Sequence, residues 1–181
     1  MSEQTIYRKI LGSRRLSNYF WAVVTLMGGA GFLLSGISSY LKVNLLPFAD
    51  PTQLIFVPQG LVMGLYGTLA LLLSLYLWLV ILWDVGGGYN RFDVSSGEIS
   101  IFRWGMPGKN RKVEFNCSTE DVQSVLVDIR EGFNPRRALY LKLKDRRQVP
   151  LTRVGQPMSL SDLEDQGAEL AKFLQVPLEG L

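Results

Sequence analysis

Residues 61–83 read LVMGLYGTLALLLSLYLWLVILW. They lie within a run of 33 residues, between Asp50 and Asp84, that contains no charge. Thirteen of the quoted residues are Leu, Ile or Val. A helix of about 20 mostly apolar residues is long enough to cross a bilayer. At roughly −0.3 to −0.6 kcal/mol for each such residue near a helix centre, the sum favours insertion by about 5 kcal/mol. The stretch reads as a membrane-spanning helix, and the rest of the chain is read from it.

Toward the amino terminus lies a second uncharged run, the 26 residues between Arg15 and Lys42. Its core, YFWAVVTLMGGAGFLLSGISSYL (19–41), holds nine residues of Leu, Ile, Val or Phe. These favour insertion by about 4 kcal/mol, opposed by four glycines, three serines and a threonine. The run is too long for the apolar part of a signal peptide. A marginal span of this kind gains from a partner helix. Small residues recur every fourth position as Gly31, Ser35 and Ser39 in one span and as Gly60, Gly64 and Thr68 in the other. Such spacing lets helix backbones approach closely in lipid. In a hairpin both stripes would lie in the half nearest the connecting loop. The expectation is that the spans pack on each other, with a partner helix as the other use of the stripe.

Flanking charge orients the pair. Arg8, Lys9, Arg14 and Arg15 precede the first span, whereas the loop between the spans holds Lys42 balanced by Asp50. Basic flanks stay on the cytoplasmic side. Two spans return the chain there, so both termini are expected on the cytoplasmic or stromal side. The net charge of +3 arises in residues 1–17; residues 84–181 have 14 basic and 14 acidic residues. The basic balance therefore gives no argument for nucleic acid.

Beyond Asp84 the pattern changes. Gly86-Gly87-Gly88 reads as a flexible joint. Short alternating segments follow at 89–94, 98–104, 113–117, 123–130, 139–143 and 148–153, separated by turn signals such as Ser95-Ser96-Gly97 and Gly132–Pro135. Six strands with short connections predict an antiparallel sheet. The period then becomes helical: Leu160, Leu163, Gly167, Leu170 and Leu174 share a face, and Ser161 with Glu164 reads as a capping box. The predicted fold is an α+β membrane protein. A basic segment (1–17) leads to a two-helix transmembrane hairpin (18–84). A small antiparallel β-sheet domain (85–181) follows, a partial barrel resembling pleckstrin-homology-like domains and closed by a C-terminal amphipathic helix.

The chain has one cysteine and no histidine. An internal disulfide is impossible, a thiolate metal site cannot be built, and the commonest general base is missing. Cys117 alternates with Val113 and Phe115 and reads as a packing residue. Gly108-Lys109-Asn110 lacks the Ser or Thr and the upstream glycine spacing of a phosphate-binding loop. No catalytic, cofactor-binding or metal-ligating residue is expected, and the chain reads as no enzyme.

Two charged groups remain as candidate docking surfaces. One is the run IFRWGMPGKNRKV (101–113) with Arg103, Trp104, Lys109, Arg111 and Lys112; Trp and Arg are interface-anchoring types. The other is the acidic face of the last helix, with Asp162, Glu164, Asp165 and Glu169. Alongside a solvated hairpin tip, the basic run allows protein docking or attraction to anionic lipid.

Several stretches resemble one family. RRLSNYFWA (14–22), GFLLSGISSY (31–40), FVPQGLVMGLYG (56–67), GGGYNRFD (86–93), IFRWGMPGKNR (101–111), VPLTRVGQP (149–157) and ELAKFLQVPLEG (169–180) are similar to the photosystem I assembly protein family of cyanobacteria and plastids. The resemblance runs through nearly the whole chain in order. It implies a two-span thylakoid membrane protein without cofactor, a non-enzymatic scaffold that holds newly made photosystem I subunits. Its implied partners are those subunits, other assembly factors and thylakoid lipid, with homo- or hetero-oligomers open. The alternative reading is a membrane-anchored module that binds anionic lipid headgroups or another membrane protein.

Overall fold

A computed structural model describes residues 5–130, 136–152 and 159–180. The expected break at 132–135 and the far end of the 148–153 segment lie outside the described residues. The chain divides into a helical unit, Gly12–Val85, and a sheet unit formed by Gly86–Leu181 together with the residues up to Leu11.

In the helical unit, α1 spans Leu16–Leu41 and α2 spans Leu61–Leu82. Both are long and apolar enough to cross a membrane. Most of their large apolar side chains are exposed, among them Phe20, Met27, Phe32, Leu65, Leu69, Leu72 and Leu75. So much contiguous apolar surface is a liability in water and normal against lipid. Where the helices face each other the residues are small. Ala22, Gly29, Gly36 and Ser39 are buried on α1, and Gly67 and Ser74 on α2. The Ser74 hydroxyl donates across to the Ala22 carbonyl at 3.0 Å.

The loop's two charges are used locally. Lys42 donates to the Thr52 and Leu54 carbonyls at 2.9 and 3.0 Å. Asp50 accepts from the Thr52 amide at 3.0 Å and caps the short 3-10 turn Pro51–Gln53.

Among the described residues the sheet unit has eight strands: β1 Thr5–Ile10, β2 Gly88–Asp93, β3 Glu98–Trp104, β4 Lys112–Ser118, β5 Val122–Arg130, β6 Arg136–Leu143, β7 Gln148–Pro150 and β8 Leu178–Glu179. They form two sheets where one was expected, ordered β1-β2-β3-β4 and β7-β6-β5-β8. All pairs are antiparallel except β5 with β8, which is parallel. Phe92, Ile99 and Ile101 from the first sheet meet Val125, Val127, Leu139 and Leu141 from the second in one core. The third helix, α3 (Leu160–Leu174), adds Leu163, Leu170 and Ala171 to it. Gly167 packs closely there: a Cβ would stand 3.2 Å from the Leu139 side chain and 3.3 Å from that of Val127, which would have to give by a few tenths of an ångström.

Four local expectations are corrected. First, residues 5–10 are more than a basic flank: they form an edge strand, with Ile10 paired to Gly88 and Thr5 to Asp93. Alternating exposure of Tyr7 and Lys9 with partial burial of Ile6 and Arg8 carries that strand. Second, Gly86-Gly87-Gly88 is built into the sheet rather than a loose joint. The Gly86 amide donates to the Trp104 carbonyl at 2.6 Å, and the Trp104 amide donates to the Gly87 carbonyl at 2.7 Å. A Cβ on Gly88 would run into the Phe102 carbonyl. Third, the cap of α3 is Ser159, whose hydroxyl accepts from the Asp162 amide at 3.0 Å, two residues before the expected Ser161. Fourth, Gly31 and Thr68 lie off the helix seam. Nothing lies within 4 Å of a Cβ on Gly31, and Thr68 is exposed and donates to the Gly64 carbonyl of its own helix at 2.8 Å.

Candidate interaction surfaces

The helix seam is set by glycine backbones. A Cβ on Gly36 would stand 2.7 Å from the Gly60 carbonyl oxygen and 2.8 Å from Gly64 Cα. One on Gly60 would meet Ser39 Oγ at 2.7 Å. One on Gly67 would lie 2.7 Å from Leu33 Cα. The expected residues Ser39, Gly60 and Gly64 thus come together, and Ser35 is buried on α1. Gly29, Gly36 and Gly67 are the seam residues that a strict four-residue spacing misses. Gly29 and Gly36 are seven apart, two helical turns, which was the readable signal. Toward the loop the helices part into an apolar groove of about 480 Å³, lined by Gly36, Tyr40, Phe56, Gly60 and Leu65 among others.

The four basic residues before α1 have separate tasks. Arg8, on the inward face of β1, is ion-paired with Glu169 of α3. Lys9 is exposed on the outward face. Arg14 donates to the carbonyls of Ile81 and Leu82 at 3.3 and 3.2 Å, in the last turn of α2 where carbonyls lack the regular helical donor. Arg15 stands at the N-cap of α1, its carbonyl accepting from the Asn18 amide at 3.0 Å.

The basic run around Trp104 separates into inward and outward residues by strand alternation. Arg103 points inward. Its guanidinium donates to the carbonyls of Tyr89 (2.9 Å), Phe102 (2.7 Å) and Leu151 (3.0 Å) and to Asn90 Oδ1 (2.6 Å). Burial pushes its pKa down from the usual arginine value. Asn90 also donates to the Leu151 carbonyl at 2.8 Å, so the pair ties the first sheet to the chain just past β7. Arg103 is therefore a structural tie, and it leaves the set of surface docking residues.

Trp104 faces outward at the end of an aromatic row. Tyr7 stacks on Tyr89 at 5.3 Å, Tyr89 on Phe102 at 5.4 Å, and Phe102 meets Trp104 edge-on at 4.9 Å. The Arg111 guanidinium and Lys112 Nζ lie 5.1 and 6.0 Å from the Trp104 ring centre. Lys109, Arg111 and Lys112 are exposed.

On α3, Asp162 and Asp165 are exposed, Glu164 is half-buried, and Glu169 is held by Arg8. The acidic face free of that ion pair is Asp162, Glu164 and Asp165.

Among the described residues no group of three or more His, Cys, Asp or Glu is placed to hold a metal. Cys117 is half-buried, and burial, followed by the negative charge of Asp121, pushes its thiol up to about 11. At neutral pH it is protonated and a poor nucleophile.

These features define a class: an α+β protein with two membrane-competent helices packed through glycine, and a two-sheet unit with charged, aromatic outer surfaces. Within that class the chain belongs to the Ycf4 family, whose family model matches residues 3–172. It is 68% identical over 179 residues to the photosystem I assembly protein Ycf4 of Trichodesmium erythraeum, covering 99% of this chain and 96% of that one. It is 67% identical over 180 residues to the protein of the same name from Trichormus variabilis, covering 99% and 91%. For that of Thermosynechococcus vestitus the identity is 58% over 179 residues, covering 99% and 93%.

Proposed function

We propose that the chain is an assembly factor for photosystem I in the thylakoid membrane, acting as a scaffold rather than a catalyst. The observation that carries this is the 68% identity across 99% of the chain to a protein of that name. The lack of histidine and the protonated state of Cys117 agree with a scaffold.

In this reading the hairpin α1–α2 lies in the bilayer and meets membrane-embedded photosystem I subunits, while the sheet unit meets their exposed parts. Both termini face the cytoplasm or stroma. The basic residues before α1 support that side. The pairing of β1 with β2 supports a common side for the two flanks of the hairpin, because the chain leaves one sheet for the helices and rejoins the same sheet. The four-strand meander, the β5–β6–β7 meander and the following helix support a pleckstrin-homology-like unit, with α1 and α2 inserted between its first two strands. Asp162, Glu164 and Asp165 form its docking face for basic client segments.

Zero-length carbodiimide crosslinking on intact thylakoid membranes, read by mass spectrometry, tests this. The expected products join Asp162 or Asp165 to lysines of photosystem I subunits. Crosslinks from this chain that reach no photosystem I subunit would contradict the proposal.

A further inference from the structure

Strand register sorts the outward face of the first sheet into rows. Trp104 stands opposite Lys112 in the row that also carries the Gly86–Gly87 bonds. Lys9, Tyr89, Phe102 and Glu114 make the next row. At the opposite end Asp93 faces Glu98. The face is thus polarised: aromatic and basic at one end, with Glu114 its single acid, and acidic at the other, where Arg91 offsets one of the two carboxylates through its ion pair with Asp93 at 3.0 Å. The β3–β4 turn extends the basic end with Lys109 and Arg111, and it exposes an apolar group there. Met106 is 47% exposed.

The basic end is also the tethered end. The Trp104 backbone is hydrogen-bonded to Gly86 and Gly87, and four residues lead from Leu82, the last of α2, to Gly86. Four residues reach at most about 14 Å. Whatever the orientation of the sheet unit, the Gly86 backbone stays within that distance of the end of α2, and the Trp104 backbone lies one strand spacing, about 5 Å, beyond it. Trp belongs at the membrane–water boundary. Lys and Arg are drawn to anionic headgroups. A short tether keeps the lipid at high effective concentration.

We infer that the β3–β4 hairpin tip is a second membrane contact. It lays Trp104 and Met106 among lipid headgroups and sets Lys109, Arg111 and Lys112 against anionic lipid phosphates. The cations around Trp104 make the tip one amphipathic unit, with the ring below and charge at its rim. This inference needs the helical hairpin to span a bilayer, and it does not depend on which client the chain serves.

The test uses the full chain with Cys117→Ser, spin-labelled through Met106→Cys, in nanodiscs of pure phosphatidylcholine or of phosphatidylcholine with phosphatidylglycerol. A second protein carries the label through Ser96→Cys at the acidic end of the face. With phosphatidylglycerol, the label at 106 is expected to become accessible to oxygen and shielded from a water-soluble nickel relaxant. The label at 96 stays aqueous in both lipids. Each basic residue near an anionic surface is worth about fivefold in partitioning. K109Q/R111Q/K112Q together should therefore lower the docked-to-free ratio roughly 100-fold. An unchanged spectrum from position 96 shows that this variant keeps its sheet. An aqueous label at 106 in both lipids overturns the inference. So does a label that becomes shielded only when solubilised thylakoid proteins are added, which would assign the tip to a protein partner.

Discussion

At the scale of single residues, two neighbours in one strand have opposite roles. Arg103 spends its guanidinium on four internal acceptors, and Trp104 faces out beside Arg111. Hydrogen bonds from a charged donor contribute about 1.5–3 kcal/mol each, and stranded partners add their desolvation. Arg103→Ala is expected to destabilise the sheet unit by about 2–4 kcal/mol. Trp104→Ala should cost about 1 kcal/mol, its edge contact with Phe102 being partly exposed. Limited proteolysis of the two variants side by side checks the order. Cys117 offers a pH-dependent readout. With its thiol raised to about 11, alkylation by iodoacetamide should titrate near that value rather than near the free-thiol value of about 8.5. The sign for stability follows. Above about 8.5 the unfolded thiol ionises while the folded one keeps its proton, so stability falls as pH rises toward 11. An alkylation midpoint near 8.5 would show an exposed, ordinary thiol.

At the scale of elements, the helix seam gives the sharpest contrast. Gly36 and Gly31 both lie in α1, five residues apart, and a spacing argument favours Gly31. Yet a side chain at 36 meets the backbone of α2 at 2.7 Å, and one at 31 meets nothing within 4 Å. Gly36→Leu should force the helices apart, at a cost of about 1–3 kcal/mol or more. Gly31→Leu should leave the packing unchanged. Cysteine pairs placed across the seam in a Cys117→Ser chain, scored for disulfide formation, distinguish the two: Gly36→Leu should lower the yield, and Gly31→Leu should not.

The spans themselves were legible because burial in lipid writes length and apolarity directly into composition. Which face packs was only half legible. Helical phase at 3.6 residues per turn drifts from a spacing of four, so the stripe Gly31–Ser35–Ser39 shares its Ser39 end with the seam and loses it at Gly31. Strands β2–β7 were readable from alternation. Strand β1 was hidden because its charges Arg8 and Lys9 resemble a topology signal, and β8 because two residues carry no period. The polarity of Arg103 against Trp104 was in principle readable from alternation with Ile99 and Ile101, which places 103 on the core face.

For the whole molecule, one arrangement unites the findings. The helical hairpin leaves the first sheet after β1 and returns to it at β2, with Ile10 and Gly88 as register partners. A unit with aromatic-basic and acidic surfaces is suited to holding partners. The client came from the family and not from residue chemistry. The central claim is therefore tested most directly in cells. Deleting the gene and measuring photosystem I per cell by P700 absorbance, under moderate and high light, should show a clear loss of photosystem I, restored by the wild-type chain. Unchanged P700 in the deletion strain under both lights would contradict the account.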